Sequence, residues 1–181
     1  MIDAYKILYD YLKEEKRLCD FSKYTNNLKT PNQLKLVVEA MKNGINPENE
    51  LMNYNYNIHQ LRVIYKGLLD GININVYKNS DFTAKQMDML RILETRIEKR
   101  NHYEKCDINI IKDDEMPADE MKRKIDLYDI INTYNNELDL NKMFKNNKSE
   151  DILKMVGKII YQKTGYNKIF KEYKINNEIE R

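Results

Sequence analysis

Only four side chains in this sequence are thiol or imidazole metal ligands: Cys19, His59, His102 and Cys106. His102 and Cys106 stand four residues apart, the spacing that sets two side chains on one face of a helix. A zinc site needs most of the four to converge, and nothing in the spacing brings Cys19 and His59 to the other pair. Cys19 is read as a core residue and the other three as surface residues. No metal and no cofactor is expected.

Three other groups offer binding chemistry. Acids cluster at Asp113, Asp114, Glu115, Asp119 and Glu120. Such a cluster holds a divalent ion or imitates nucleic-acid phosphates, but a loop leading into a helix N-terminus also favours acids. The lysines Lys142, Lys145, Lys148, Lys154, Lys158, Lys163, Lys168, Lys171 and Lys174 alternate with Phe144, Tyr161, Tyr166, Phe170 and Tyr173. Lysines neutralise phosphates and aromatic rings stack on bases; equally, the rings form a core and the lysines a solvated face. Arg91, Arg96, Lys99 and Arg100 make a second basic group. Tyrosine, with 14 residues, outnumbers every other aromatic type. Tyr54, Tyr56, Tyr65 and Tyr77 are candidates for a protein interface, where such amphipathic rings are enriched, although biased composition explains the same count.

Signatures of catalysis are missing. The sequence has no Gly-rich phosphate loop, no G-x-S-x-G elbow and no H-E-x-x-H. Neither histidine has a recognisable nucleophile partner. A chain without catalytic function is expected.

The elements that would position these residues follow from composition and period. The 181 residues suffice for one domain or two small ones. Five Gly and three Pro favour helices over a turn-rich β architecture. Two distant cysteines and no secretory leader fit a reduced cytoplasmic setting. No apolar run approaches the roughly 18 residues of a membrane span. Net charge is +2 but unevenly spread. Residues 1–100 hold 16 Lys+Arg against 13 Asp+Glu, residues 101–140 hold 5 against 11, and residues 141–181 hold 10 against 5. Such asymmetry is a cue to polyelectrolyte or protein partners.

One phrase recurs. Gln33, Gln60 and Gln86 share a column at intervals of 27 and 26 residues, a period typical of stacked supersecondary units. Leu34, Leu61 and Met87 follow; then Leu36/Val37, Val63/Ile64 and Met89/Leu90; then Ala40, Gly67 and Leu93. These positions define one helical apolar face. Three residues before each Gln stands a capping residue, Thr30, Asn57 or Thr83, which completes a capping box. Pro31 suits a first helical position, and Gly44 and Gly71 suit left-handed C-terminal caps followed by Ile45 and Ile72. The third copy has Ile97 in place of Gly, so its helix is expected to run on through "RILETRIEKRN".

The pattern of Gln-apolar pairs, the Gly-apolar-Asn turns, Val76-Tyr77, Phe82 and Gln86-Met87 resembles short helical repeats in proteins of Firmicutes phages and mobile elements. The resemblance covers residues 30–97. It implies an interaction scaffold, and some such proteins inhibit bacterial defence, including Cas9-inhibiting anti-CRISPR proteins.

Outside the repeats, Ala4, Ile7/Leu8, Tyr11/Leu12 and Leu18 predict a first helix from Ile2 to Cys19. Ile108, Ile110 and Ile111 predict a short extended piece. Pro117 opens a helix carrying Met121, Ile125, Tyr128, Ile131, Tyr134 and Leu138 on its apolar stripe. Ser149 caps another helix that ends near Gly165, and a short last helix follows.

The expected fold is all-α with six or seven helices, comprising a central helix-turn array of about 26 residues per unit and a C-terminal helical portion. The segments are 1–100, a linker at 101–116, and 117–181; whether that linker separates two domains is left open. The expected function is a non-enzymatic interaction protein of a phage or mobile element, acting in the bacterial cytoplasm on a Cas nuclease with its guide RNA. Direct nucleic-acid binding through the C-terminal Lys/Tyr/Phe series is the alternative. A homodimer is expected, and no membrane contact.

Overall fold

The computed structural model of the chain describes residues 3–28, 30–53, 55–100, 107–134, 139, 142–144 and 149–164. Among them every regular element is helical and no strand occurs. The α-helices are α1 (Ala4–Glu14), α2 (Phe21–Asn27), α3 (Pro31–Lys42), α4 (Ile58–Asp70), α5 (Ala84–Arg100), α6 (Ala118–Tyr134) and α7 (Ser149–Thr164). Residues 142–144 are also helical. Two compact units result, Met1–Thr95 and Arg96–Arg181, with the division inside α5.

Instead of one helix to Cys19, α1 stops at Glu14 because Lys16 takes a left-handed conformation, φ 56°. The turn closes as a Schellman motif, with the Arg17 N–H on the Leu12 carbonyl at 2.7 Å and the Lys16 N–H on Lys13 at 3.2 Å. The chain then makes a 3-10 turn at Leu18–Asp20 before α2. As a result Leu18 leaves the apolar stripe and is 40% exposed, and Cys19 is exposed too, not a core residue. Ala4, Leu8 and Leu12 stay buried, and α1 packs most closely against α3.

Each of α3, α4 and α5 starts with the expected reciprocal cap. The Gln33, Gln60 and Gln86 N–H groups donate to the side-chain oxygens of Thr30, Asn57 and Thr83, at 3.3, 3.1 and 3.2 Å. Their Oε1 atoms accept the N–H groups of those same residues, at 3.0, 2.8 and 2.7 Å. Gly44 and Gly71 are left-handed, φ 74° and 70°, and the following Ile45 and Ile72 N–H groups return to Ala40 and Gly67. Helix α5, lacking such a glycine, continues to Arg100. Leu34, Leu61, Met87, Val37, Ile64, Leu90, Ala40 and Leu93 form the buried seam.

Side chains tie each helix to the next at matching positions. Asn43, ten residues after Gln33, donates to the hydroxyl of Tyr65, five after Gln60, at 3.0 Å. Asp70, ten after Gln60, accepts from Arg91, five after Gln86, at 2.8 Å. The start of α4 meets the chain leading into α5, since Gln60 Nε2 donates to the Ser80 and Phe82 carbonyls at 3.1 and 2.6 Å. N-terminal end lies by N-terminal end, and C-terminal end by the second turn. Helices α4 and α5 therefore run in the same sense, displaced by about five residues.

Same-sense neighbours require a returning linker, and residues 71–83 provide it. Asn73 and Asn79 each accept an N–H two residues on, from Asn75 and Asp81, which makes two tight Asx turns. Between them Tyr77 passes back over α4 at Gly67. A Cβ at Gly67 would stand 1.6 Å from the Tyr77 hydroxyl oxygen, so this helix position must be glycine.

In the C-terminal unit the expected extended piece is a 3-10 turn, Ile108–Ile110. Its bonds follow those of residues 73–82. Asp107 and Asp113 accept from Asn109 and Glu115, both at 3.0 Å, Lys112 N–H meets the Ile108 carbonyl at 2.8 Å as Lys78 meets Ile74 at 2.8 Å, and Met116 meets Asp113 as Phe82 meets Asn79. Local hydrogen bonding by Asp and Asn wins here over the β propensity of three isoleucines. Only Ile111 among them is buried, matching Tyr77 in position. Helix α6 packs on α7, with Met121, Ile125, Leu127, Tyr128, Ile152 and Val156 buried. Phe144 joins this core, its ring centroid 5.4 Å from that of Tyr128. Helix α7 begins at Ser149 itself and ends at Thr164. The expected last helix and Leu138 lie outside the described residues.

Candidate interaction surface

Three of the four tyrosine candidates are buried. Tyr56, Tyr65 and Tyr77 are 8%, 5% and 0% exposed, so none presents a ring to a partner. Tyr56 and Tyr77 lie in the chain before and after α4, and Tyr65 lies within α4. Tyr65 spends its hydroxyl on Asn43 and Glu39. The Tyr77 hydroxyl is buried with no hydrogen-bond partner, and burial pushes its ionisation well above the ordinary tyrosine range, with Arg91 pulling weakly the other way. Tyr54 lies outside the described residues.

The second basic group is also largely spent. Arg91 bridges Asp70 and Asp88, at 2.8 and 2.9 Å, with its side chain mostly covered. Arg96 pairs with Asp129 within the C-terminal unit. These two guanidinium groups clamp helices, where the sequence suggested ligand-binding cations. The side chains of Lys99 and Arg100 lie outside the described set.

In the acidic segment Asp113, Asp114, Glu115 and Asp119 are exposed, and Glu120 is half-buried, 3.6 Å from Arg123. Asp113 has a structural duty as the acceptor of its own turn. The acids thus stand where a recurring loop calls for Asx residues, followed by a helix start that favours negative charge. No group of three or more His, Cys, Asp or Glu side chains that could hold a metal ion occurs among the described residues.

Of the C-terminal series, Lys154 and Lys158 are exposed on α7, Lys154 lying 3.8 Å from Asp151. Phe144 is a core ring and is not free to stack on a base; Lys124 Nζ stands 5.4 Å from its centroid. Lys163 lies within α7, but its side chain is outside the described set, as are Lys168, Lys171 and Lys174 altogether.

A different surface, missed in the sequence, emerges from the recurring helices. The positions two, six and nine residues after Gln33 and Gln60 face outward, whereas those after Gln86 (Asp88, Ile92 and Thr95) are half-buried. On α3 they are Lys35, Glu39 and Lys42, and on α4 Arg62, Lys66 and Leu69, all exposed. The signal was available as a shared register, but net charge over residues 31–71 is zero, with four Lys/Arg and four Asp/Glu, which hides it.

No helix among the described residues is long and apolar enough to cross a membrane. No protein-family description, curated protein or solved structure matches the chain.

Proposed function

We propose that this chain is a non-catalytic binding protein whose recurring helix-loop segments form a scaffold for a macromolecular partner. The specific form of the proposal is an inhibitor from a phage or mobile element that occludes a bacterial nucleic-acid-targeting complex of the Cas9 kind. The observation that carries the scaffold reading is the repeated step between helices, Asn43 to Tyr65 and Asp70 to Arg91 at identical register. Segments that bury a seam on their neighbours leave their outer faces for contact. Exposure of Asp113, Asp114, Glu115 and Asp119 supports the inhibitory form, because such a segment complements a basic nucleic-acid channel.

The test is affinity capture of the tagged chain from cells carrying a defence nuclease with its guide RNA, followed by cleavage assays with the purified pair. Stoichiometric capture and loss of cleavage are expected. Recovery of the chain alone counts against the inhibitory form. A second reading, direct nucleic-acid binding through the C-terminal series, draws on exposed Lys154 and Lys158. It requires steeply salt-dependent binding that Lys154→Gln/Lys158→Gln abolishes.

A further inference from the structure

Charge in residues 31–71 is segregated, not merely balanced. Every acid is engaged: Glu39 with the Tyr65 hydroxyl, Glu48 with Lys23, Glu50 with Lys78, and Asp70 with Arg91. None of the four cations forms an ion pair among the described residues. Lys35, Arg62 and Lys66 project from the outer face, and Lys42 rests over the Tyr11 ring at 5.9 Å with its charge exposed. Glu48, Glu50 and Asp70 are neutralised by cations from α2, from the next linker and from α5, while Glu39 keeps its charge on the outer face. The outer stripe of α3 and α4 thus presents Lys35, Lys42, Arg62 and Lys66 against the one carboxylate of Glu39.

We infer that this stripe is a binding surface for the sugar-phosphate backbone of a nucleic acid. Lys35 and Arg62 occupy one register position on successive helices, with Lys66 and Lys42 about one and two turns further along, roughly 6 and 10 Å. Four cations grouped on one face suit a polymer of regularly spaced negative charge. An acidic protein is the poorer fit, because protein interfaces take their affinity from buried aromatic anchors. The stripe offers only Leu69 as an exposed large apolar side chain. Without rings to stack on bases, recognition is of backbone charge and independent of sequence.

This surface shares no residue with the acidic segment and includes neither Lys154 nor Lys158, so each reading fails separately. The experiment measures binding of the full chain to a mixed-sequence DNA duplex, to its RNA counterpart and to polyglutamate, across a salt series. Wild type is expected to bind the duplexes more tightly than polyglutamate. The variant Lys35→Gln/Arg62→Gln/Lys66→Gln should lose that affinity, its logarithmic salt slope falling by about 0.9 for each DNA phosphate contact removed. Lys35→Arg/Lys66→Arg should retain binding, which separates charge from folding, and circular dichroism checks the fold of each variant. Lys154→Gln/Lys158→Gln should also bind as wild type. The inference is overturned if wild type ignores duplexes at low salt, prefers polyglutamate, keeps its affinity in the triple variant, or loses it in the α7 variant.

Discussion

The side-chain amide of Gln60 donates to the main-chain carbonyl of Phe82 at 2.6 Å while its oxygen accepts the Asn57 N–H at 2.8 Å. One side chain thus closes its own helix start and fastens the linker that leads to the next helix. Both halves of the amide are used, which distinguishes Gln from the Glu that a capping box alone would accept. In the C-terminal unit, Glu120 occupies the matching place after Pro117, which has no N–H to offer.

Gln60→Glu should therefore destabilise the N-terminal unit although the cap survives. The buried carboxylate would face the Ser80 and Phe82 carbonyls without a donor, a loss of about 1–3 kcal/mol. Thr30→Ala, which removes only a cap, should cost about 1 kcal/mol. Urea unfolding of the two variants gives the comparison.

Gly67→Ala reverses the usual helix rule. In an open helix interior the change gains about 1 kcal/mol, but here the new methyl meets the Tyr77 hydroxyl. A lower melting temperature is expected, with a loss of about 1–3 kcal/mol from overpacking. Tyr77→Phe should relieve part of that loss, so a double-mutant cycle should show coupling.

Tyr77→Phe alone should stabilise the protein, since the lost hydroxyl is buried without a partner. It should also soften alkaline unfolding. The folded state holds the phenol protonated, whereas the unfolded chain releases that proton near the ordinary value of 10.0. The contribution to stability is complete below pH 10 and is lost as pH rises above it. Stability measured between pH 9 and 11 should fall less steeply in the Phe variant, with Tyr11, Tyr24, Tyr56 and Tyr65, also raised by burial, contributing to the remaining slope.

Lys16→Gly should stabilise the end of α1 by about 1 kcal/mol, because a left-handed residue with a Cβ carries that strain. Thermal unfolding reads the gain. An unchanged or lower melting temperature would mean that the turn at Lys16 is not left-handed in solution.

Helices announced by paired signals were legible in the sequence. Thr30/Gln33 and Gly44, or Asn57/Gln60 and Gly71, mark both ends of an element with side chains whose roles are local. Lys16 was not legible, because a lysine in the left-handed region has no compositional mark and the apolar stripe runs on to Leu18. The isoleucines at 108–111 misled for a related reason: the turn belongs to Asp107 and Asp113, whose oxygens act on the backbone two residues away. At the surface the difficulty is pairing. Arg91 and Arg96 read as free cations until their partners, Asp70 and Asp129, are found far away in sequence. The Tyr residues read as interface rings until the returning linker buries Tyr77 against Gly67.

Same-sense stacking at a five-residue step is the claim on which the scaffold depends, and paired spin labels on α4 and α5 test it most directly. In a Cys19→Ser/Cys106→Ser background, labels at Arg62 and Lys85 should lie closer together than labels at Arg62 and Ile92, by an axial difference of about 10 Å. The opposite order would place α4 and α5 antiparallel and contradict the account.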